Sequence, residues 1–512
     1  MRGPLCLPLE KDPLLAERIP GLSRADFADL PPLAPYGVRG EAPAGAPLRL
    51  SLSRGLRSWP VVDASGTRIA SIHGLLLEGW LGDGLAVVDG TVRVDRAIAT
   101  ADEFERHVLR GLNGSFVVEM LGDALPHRLY LDCGGSVPIV FCAETRRLGG
   151  SADQILDDAE YQHRFLHDRY QRLVAGEGTS GWIPGTLTAH RGVSRLLLNH
   201  YLDLDDFSQH RFWPSAELLE APELPMEAAA AIVARQLRGL AAAAAEQFQV
   251  TVALTAGMDS RLVLAAFNGH WERIEAMTFG GDTVAYDQAV APALCRMTGT
   301  PHRLVSVARA GEAETARWDR MVGHAVREVN RELHPSLRLV DGDMIATGMY
   351  GESGRGYHYM RDWASIDSKA ADAADLLARL KQPRNADLLA DLQSWLVPIA
   401  HLPRSTVLDL CYLELRMGSW GVGQLPVQNA LHLPLMPFTQ WPVQEAFLKV
   451  GIADRATKRL LSRVGEMLWP EGMRVPINRF GDWRDQFGPL LKLARRDSLA
   501  TIRRFLRAKR AG

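Results

Sequence analysis

The chain has 512 residues, a formal net charge of −2 and 47% hydrophobic residues, a composition typical of a soluble globular protein with two or more domains. This charge gives no reason to expect a nucleic acid partner, and no apolar run reaches the ~18 residues that a membrane span needs. The five cysteines are scattered without a C-x-x-C pair, and the N-terminus lacks an apolar signal core, so we expect a cytoplasmic protein without a disulfide framework or zinc site.

The first half of the chain has the pattern of a β-rich domain that follows a coil rich in Pro, Gly and Ala over residues 1–48. Apolar runs at 85–88 and 91–94 flank a two-residue turn, Asp89-Gly90, which predicts a hairpin. Further predicted elements are a helix at 100–112 and strands at 72–77, 114–121, 128–132, 139–142, 187–191 and 196–202, in which 114–121 pairs with 128–132 and the last two pair with each other. Strands dominate residues 48–213, which predicts an α+β domain.

The second half is predicted to begin after a linker at 214–224, with an alanine-rich helix over 225–248. A short, apolar, β-branched run at 250–254 predicts a buried strand, and 262–266 predict the helix that follows it. Strands at 274–279 and 301–307, with a helix at 287–298 between them, indicate a doubly wound parallel sheet.

The turn after the first of these strands carries two hydroxyls, two small residues and an acid within six positions, Thr255 to Ser260. A helix N-terminus directs free N–H groups and the positive end of the helix dipole at one spot, and small residues let a ligand approach the backbone. Thr255 and Ser260 can donate to phosphate oxygens, while Asp259 can hold a divalent cation against them. We therefore predict a pyrophosphate-binding loop in preference to an ordinary capped turn; no Gly-Lys-Ser/Thr follows, so it is not a nucleoside-triphosphate P-loop.

Ligands of doubly wound sheets bind outside the carboxyl ends of the strands, so the loops at 255–260 and 279–287 are expected to lie together, the second around adenine and ribose. A third glycine-rich loop follows a short apolar strand at Met344 and carries Glu352 and Arg355. Glu352 could bind a metal or act as a base, and Arg355 could hold a phosphate or carboxylate. The alternative is an exposed flexible loop with a surface ion pair.

The remaining C-terminal signals are mainly helical from 366 to 470, with an extended apolar core segment at 433–438. Tyr412, Glu414, Arg416 and Trp420 lie at near-helical spacing, and Glu414 and Arg416 either line the site or form buried structural pairs. The last predicted features are a helix at 454–467 with Lys458, a loop at 474–481 with Arg474 and Arg479, and a tail at 491–510 with eight Lys or Arg. That tail is either a solvated helix or a docking surface for an acidic partner or leader peptide.

Over about residues 60–485 the chain resembles the asparagine synthetase family. In the first half the resemblance rests on Gly114-Ser115-Phe116, Arg128 to Asp132, Gly134-Gly135-Ser136-Val137-Pro138, Gly185 to Val193 and Arg211-Phe212-Trp213. It implies that residues 1–213 form an Ntn-hydrolase-like, glutaminase-like α+β domain. The family nucleophile is a cysteine exposed as the first residue, whereas Cys6 lies inside the chain before Leu7-Pro8, so the domain is expected to be degenerate and unable to hydrolyse glutamine.

In the second half, Thr255 to Ser260 stands for the family's Ser-Gly-Gly-x-Asp-Ser, with Ala256 for one glycine, and Gly351-Glu352 stands for its Gly-Glu. The resemblance implies that residues 225–490 form an α/β ATP-pyrophosphatase domain, similar to the adenine nucleotide alpha hydrolases, before the basic tail 491–512. Arg355 falls near the position of a metal-binding aspartate of asparagine synthetases. The loop that normally supplies a catalytic lysine has none, and Arg479 or Lys458 would provide the charge.

What this resemblance implies is ATP-dependent, AMP-forming amide synthesis, as in the family's β-lactam synthetases and lasso-peptide macrolactam cyclases. ATP and Mg²⁺ are the implied cofactors, Asp259 and Glu352 the metal ligands, and Glu352, Arg355, Arg479 and Lys458 the catalytic residues. The implied ATP-binding residues are Leu254, Thr255, Ala256, Gly257, Met258, Asp259, Ser260, Phe279, Gly280, Tyr350 and Gly351. The substrate would be a peptide or amino-acid-derived carboxylate with an internal or second amine; the alternative is a catalytically degenerate relative that binds a nucleotide or a partner protein.

Overall fold

The computed structural model describes residues 37–42, 48–53, 56–122, 124–280, 285–327, 329–481 and 485. Cys6, the segment 281–284 and the basic tail 491–512 lie outside these residues. The strands are β1 (Val38–Glu41), β2 (Arg49–Leu52), β3 (Arg57–Val62), β4 (Arg68–Leu76), β5 (Leu85–Val88), β6 (Thr91–Val94), β7 (Gly114–Met120), β8 (Arg128–Leu131), β9 (Val140–Cys142), β10 (Arg147–Gly149), β11 (Ser194–Arg195), β12 (His200–Asp203), β13 (Gln209–Arg211), β14 (Val250–Ala253), β15 (Ile274–Phe279), β16 (His302–Val305), β17 (Met344–Ala346) and β18 (Leu433–Leu435).

The helices divide into α-helices and shorter segments of 3₁₀ or π geometry. The α-helices are α1 (Ala101–His107), α2 (Ala152–Ile155), α3 (Asp158–Arg164), α4 (His167–Tyr170), α5 (Ala216–Glu220), α6 (Met226–Gln247), α7 (Met258–Ala266), α8 (Ala285–Thr298), α9 (Glu312–Met321), α10 (Val329–Leu333), α11 (Ala373–Arg379), α12 (Ala386–Leu396), α13 (Arg404–Leu410), α14 (Leu425–Asn429), α15 (Trp441–Lys449), α16 (Ile452–Ala456), α17 (Arg459–Leu468) and α18 (Pro470–Met473). The 3₁₀ segments are Leu109–Gly111, Trp271–Arg273, His334–Leu339, Gly351–Arg355, Trp363–Ser368 and Val397–Ile399, and the π segments are Gln171–Ala175 and Cys411–Gly421.

The first half contains two sheets whose strand pairs are antiparallel except for β3 with β6. One has the order β11-β9-β10-β1-β2 and the other β13-β12-β8-β7-β4-β3-β6-β5. Alternate residues of β7 face opposite ways: Phe116 and Val118 belong to a cluster with Phe104 of α1, whereas Val117 belongs to the main core with Phe141 of the other sheet. The predicted pairs 85–88 with 91–94 and 114–121 with 128–132 are both present.

The second half contains a five-stranded sheet in the order β16-β15-β14-β17-β18, in which every pair is parallel. Its two faces are both covered, because Val252 and Ala276 pack into the main core while Met277 and Ile345 pack against the segment that contains Leu337. The expected mixed architecture, antiparallel sheets followed by a parallel sheet, is therefore confirmed. The strand order reverses between β14 and β17, and the loops after these two strands leave the same edge of the sheet.

Three details of the sequence interpretation are wrong. Part of the predicted coil is β1, because the short alternation of buried Val38 with exposed Arg39 was too brief to stand out among prolines and glycines. Residues 200–203 pair with β8 and β13 and not with 187–191, which make isolated bridges to Ser194 and Phe165.

The predicted linker contains the short helix α5. The third correction also concerns the second half. The helix expected at 454–467 is broken at Lys458, whose φ of +65° is left-handed and cannot continue a right-handed helix. The apolar segment expected in the core at 433–438 begins with the fifth parallel strand. Within the described part of the chain, no helix is both long and apolar enough to cross a bilayer.

Candidate functional site

The loop between β14 and α7 is held in a compact turn by its own hydroxyl groups. The hydroxyls of Thr255 and Ser260 lie 2.8 Å apart, and the backbone N–H groups of Thr255 and Gly257 donate to Ser260 Oγ and Thr255 Oγ1, each at 3.1 Å. Gly257 is the N-cap of α7 and has no side chain to accept from the first-turn amides. Those amides, with the positive end of the helix dipole, are therefore directed at the space outside this loop.

The second predicted loop meets the first at one side chain. Asp287 Oδ1 accepts a hydrogen bond of 2.7 Å from the backbone N–H of Ala256, although the segment 281–284 within the second loop is not described. Phe279, at the end of β15, is 38% exposed, and Leu304 on the neighbouring strand is 52% exposed. The backbone N–H of Gly280 donates to the Val305 carbonyl at 2.8 Å. Phe279 is thus exposed at the start of this second loop, where the sequence predicts the base and ribose, whereas the register of β15 with β16 puts Leu304 on the opposite face of the sheet.

The glycine-rich loop after β17 lies directly against Asp259. A Cβ at Gly348 would come within 2.7 Å of the Ser260 backbone nitrogen, and one at Gly351 within 2.9 Å of the Asp259 Cβ. Both positions therefore need glycine for this approach. The close contact brings Glu352 and Arg355 beside Asp259, although 96 positions separate Arg355 from Asp259 in the chain.

Arg355 joins the two carboxylates that the sequence predicts as metal ligands. Its Nη2 lies 2.8 Å from Asp259 Oδ2 and 2.9 Å from Glu352 Oε1. Burial raises the pKa of the Asp259 carboxyl to about 6, while the charges of Arg355 and Lys458 act to lower it and that of Glu352 acts to raise it. The three charged groups form one electrostatic unit, in which the guanidinium offsets the repulsion between the carboxylates.

One magnesium position fits these residues and a second does not. Asp259 Oδ1 is buried and has no hydrogen-bond partner, so it is free to bind a cation that takes its other ligands from phosphate oxygens and water. A cation that bridged Asp259 and Glu352 would have to displace the Arg355 guanidinium. Among the described residues, no cluster of three or more His, Cys, Asp or Glu side chains could hold a metal by itself.

Tyr412 completes the surroundings of Glu352. Its hydroxyl, on the π segment that follows α13, lies 3.2 Å from Glu352 Oε2 and donates to it. Burial raises the pKa of this phenol well above its ordinary value, so the hydroxyl stays protonated. Tyr412 and Arg355 thus engage one oxygen each of Glu352, which is held towards Asp259 in a defined orientation.

The structure places Glu414 and Arg416, which the sequence assigned either to the site or to buried pairs, in different surroundings. Glu414 is fully buried and structural, since it accepts from Asn199 Nδ2 at 2.9 Å and Trp395 Nε1 at 2.7 Å and pairs with Arg211. Arg416 is half-buried between the rings of Tyr357 and Trp420.

Several residues of the predicted ATP-binding set face away from the loop. Leu254 and Met258 belong to the main core, where their side chains hold the turn in place. Tyr350 is also buried, and its hydroxyl donates to the Gly134 carbonyl at 2.7 Å, so this side chain anchors the loop to the first half of the chain. Ala256 is fully buried as well, so its Cβ does not project from the loop surface.

The two predicted substitutes for the family lysine occupy different surroundings. Lys458 is exposed and sits at the break between α16 and α17, where its charge acts on Asp259. Arg479 is exposed and makes no ion pair with any described residue. The structure thus brings Asp259, Glu352 and Arg355 into contact, with Lys458 close enough for its charge to act on Asp259, and shows no contact between Arg479 and this group.

Sequence reasoning missed the residue that fastens the C-terminal loop to the site. Arg261 is fully buried and donates to the carbonyls of Gly472 at 3.1 Å, Pro476 at 2.8 Å and Ala256 at 3.3 Å, as well as to Val475. Burial lowers its pKa to about 10, which leaves it charged at neutral pH. The sequence signal that could have identified Arg261 is an arginine at the start of an otherwise apolar helix. No feature of the sequence singled out Asp287.

Comparison of the chain with protein-family models and with curated proteins gives no match in either case, so the interpretation of this site rests on its residues and geometry.

Proposed function

We propose that this protein is an ATP-dependent, AMP-forming amide ligase or cyclase that acts on a peptide or amino-acid-derived carboxylate. The observation that carries the proposal is the meeting of two loops at the reversal of the strand order, where Asp259, Glu352 and Arg355 lie in hydrogen-bonding distance around the open N-terminus of α7. Sheets of this kind bind nucleotides at this position. An ATP-pyrophosphatase fold for the second half, and a degenerate Ntn-hydrolase-like fold for the first, are part of the same proposal.

The proposed reaction has two steps. A carboxylate oxygen of the substrate attacks the α-phosphorus of ATP, the bond between the α-phosphorus and its bridging oxygen breaks, and pyrophosphate leaves. An amine nitrogen then attacks the acyl carbon, the amide bond forms, and AMP leaves. Both steps depend mainly on positioning and on neutralising phosphate charge, which a loop of N–H donors and nearby cationic side chains supplies.

The residues around the loop would have different roles in these two steps. The turn from Thr255 to Ser260 would bind the pyrophosphate portion, with Phe279 beside the base. Asp259 would hold Mg²⁺, which when bound neutralises phosphate charge. Glu352, oriented by Tyr412, would accept the proton that the attacking amine loses. Arg355 and Lys458 would stabilise negative charge that develops on the leaving groups.

A pyrophosphate assay tests the proposal. The wild-type protein should catalyse ATP–pyrophosphate exchange or release pyrophosphate with at least one member of a panel of amino acids and short peptides. Asp259→Asn should lower this rate about 100-fold or more, because it removes the ligand of the cation that neutralises the triphosphate. Asp83→Asn, an exposed acid in the first half, is the matched control and should retain the wild-type rate. An unchanged rate in Asp259→Asn would contradict the mechanism.

A second candidate function follows from Arg355 itself. Because the guanidinium already neutralises Asp259 and Glu352, the site would also suit a relative that binds a nucleotide without turning it over. In that case ATP would protect the protein against thermal unfolding, but no substrate would promote pyrophosphate release. The two functions are separated by measuring both properties on one preparation.

A further inference from the structure

A small cavity lies between the two halves of the chain, away from the loops of the candidate site. Its volume is about 30 Å³, enough for about one or two water molecules or one small ion. Ser151 and Arg195 belong to its first-half wall, and Val322 and Val422 to its second-half wall. Among the described residues that line the cavity, Arg195 is the only charged one, so no carboxylate of the wall neutralises it.

Arg195 is buried with part of its guanidinium unused. The residue is 5% exposed, and its Nη1 donates to the carbonyls of Ile183 and Gly185 and, at 3.0 Å, to Ser419 Oγ. Burial lowers its pKa to about 10, while the charge of Asp391 acts to raise it, so the side chain is charged at neutral pH. No described residue accepts from Nε or Nη2 or forms an ion pair with this side chain. Buried cations are normally paired, so these N–H groups indicate a missing acceptor.

Asp391 does not provide that acceptor. Its carboxylate oxygens accept from the backbone N–H of Thr186 at 3.0 Å and from the Thr186 hydroxyl. The carboxylate also packs against Gly185, where a Cβ would come within 2.0 Å of Oδ2. Asp391 does not line the cavity, so it eases the burial of the positive charge from outside and leaves the cavity itself without a negative charge.

Ser151 contributes a second unused donor to the same wall. Its Oγ is buried without a hydrogen-bond partner, and although Ser151 is the N-cap of α2, its hydroxyl accepts no bond from that helix. The other polar side chain of the wall, Thr188, already donates to the Val193 carbonyl at 2.8 Å. A ligand that satisfies both the guanidinium and the free hydroxyl must be an acceptor. Because the remaining walls are mainly apolar, the charge of Arg195 is weakly screened and favours an anion over a water molecule.

We propose that this cavity binds one small monovalent inorganic anion, held by the guanidinium of Arg195 and the hydroxyl of Ser151. The volume suits a halide-sized ion and leaves no room for an amino acid or a nucleotide. Arg195 also donates to Ser419 in the π segment of the second half, so the anion would fix the guanidinium that joins the two halves. This site does not depend on the proposed ligase activity.

Thermal unfolding of the full-length protein in different anions tests the site. Chloride replaces gluconate, which is too large for the cavity, at constant ionic strength and pH, while differential scanning fluorimetry follows the unfolding temperature. The wild-type unfolding temperature should rise with chloride concentration, because a ligand that binds only the folded state stabilises it. Ser151→Ala should raise the apparent dissociation constant about tenfold, through the loss of one hydrogen bond to an ion. Arg195→Met should abolish the chloride effect.

Two further variants serve as matched controls. Ser180→Ala removes another buried hydroxyl without a partner that lies outside the cavity, and Arg191→Met removes an exposed arginine of the same segment. Both should keep the full chloride effect. Since the Ser151 hydroxyl makes no hydrogen bond within the protein, Ser151→Ala should fold as the wild type does and decides the test even if Arg195→Met does not fold.

Bromide allows the anion to be located directly. A crystal of the full-length protein grown in bromide, with data collected at the bromine absorption edge, should show an anomalous peak in the cavity between Arg195 and Ser151. The same crystal of Ser151→Ala should show a weaker peak at equal bromide concentration. A cavity that holds only water, without anomalous signal, or a Ser151→Ala variant with the chloride dependence of the wild type, would overturn the proposal.

Discussion

Arg355 shows how one side chain can change what a pair of carboxylates does. The guanidinium donates to Asp259 and Glu352 at 2.8 and 2.9 Å, and therefore performs the charge neutralisation that a bridging cation would otherwise provide. An arginine cannot be removed by a chelator and cannot exchange its ligands. The site should consequently need fewer divalent cations than a pair of free carboxylates in the same position.

We therefore expect that, without nucleotide, the stability of Arg355→Met depends on divalent cations, whereas that of the wild type does not. In EDTA and without nucleotide, the variant should unfold at a lower temperature, because two carboxylates face each other without a counter-charge. Mg²⁺ should restore the loss, by about 2.7 kcal/mol at a hundredfold excess over its dissociation constant. Differential scanning fluorimetry with and without Mg²⁺ checks this, with the exposed Arg361→Met as control. Equal Mg²⁺ effects on variant and wild type would show that Arg355 does not replace a cation.

A second residue, Glu105, sets a pH dependence of stability in the first half. Burial raises its pKa to about 7, although Tyr130 donates to it at 2.8 Å and Arg128 lies nearby. Between about pH 4.3 and 7, the folded protein therefore keeps a proton on Glu105 that the unfolded chain has already lost. Over that range the stability contributed by this group is present at the acid end and falls as the pH rises.

Glu105→Gln should remove this slope, because the amide has the same shape, still accepts from Tyr130 and does not ionise. The variant should gain up to about 3 kcal/mol over the wild type between pH 5 and pH 8, a figure that follows from the size of the shift. Urea unfolding at the two pH values measures the difference, and Glu78→Gln, at an exposed position, is the control. A wild type and a variant with parallel pH profiles would contradict the assignment.

At the scale of the elements, local patterns predicted most of the strands but not the contacts between them. β15 was predicted with its observed bounds because its apolar run is bounded by turn signals. β18 was not recognised as a strand because Leu433-Pro434-Leu435 contains a proline, which is rare except at sheet edges, where this strand lies. The bridge from Arg355 to Asp259 could not be predicted, since it depends on β17 lying next to β14.

The break between α16 and α17 provides a test at this scale. Lys458 has φ of +65°, a conformation that costs a residue with a Cβ about 1–2 kcal/mol relative to glycine. Lys458→Gly should therefore raise the free energy of unfolding by about 1 kcal/mol, while Lys458→Ala should leave it nearly unchanged. Both variants remove the charge that acts on Asp259, so both should lower pyrophosphate release to the same extent. If the more stable of the two variants is also the more active, the backbone geometry at Lys458, and not its charge, determines the activity.

At the scale of the molecule, the sequence suggested two domains with a linker, but the described residues share one main core. That core contains Phe141 from the first half and Val252 from the second. Polar contacts cross the same boundary: Asn429 Nδ2 donates to the Ser136 carbonyl at 2.7 Å, and Trp80 Nε1 donates to Gln440 at 2.9 Å. Such contacts between distant segments are set by tertiary packing, which no local periodicity encodes.

The buried carboxylate of Glu414 connects the two halves, because it accepts from Asn199 and pairs with Arg211 of the first half, while Trp395 donates to it from α12. Removing it in Glu414→Ala leaves a largely buried guanidinium and two N–H donors without an acceptor, which costs about 3–5 kcal/mol. Since the core is continuous across the boundary, we expect one calorimetric unfolding transition in the wild type and again one, at lower temperature, in the variant. Glu220→Ala, at an exposed position, is the control and should leave the transition unmoved. Two resolved transitions in the wild type would mean that the halves unfold independently, and Glu414 would then stabilise a contact between domains instead of a single cooperative unit.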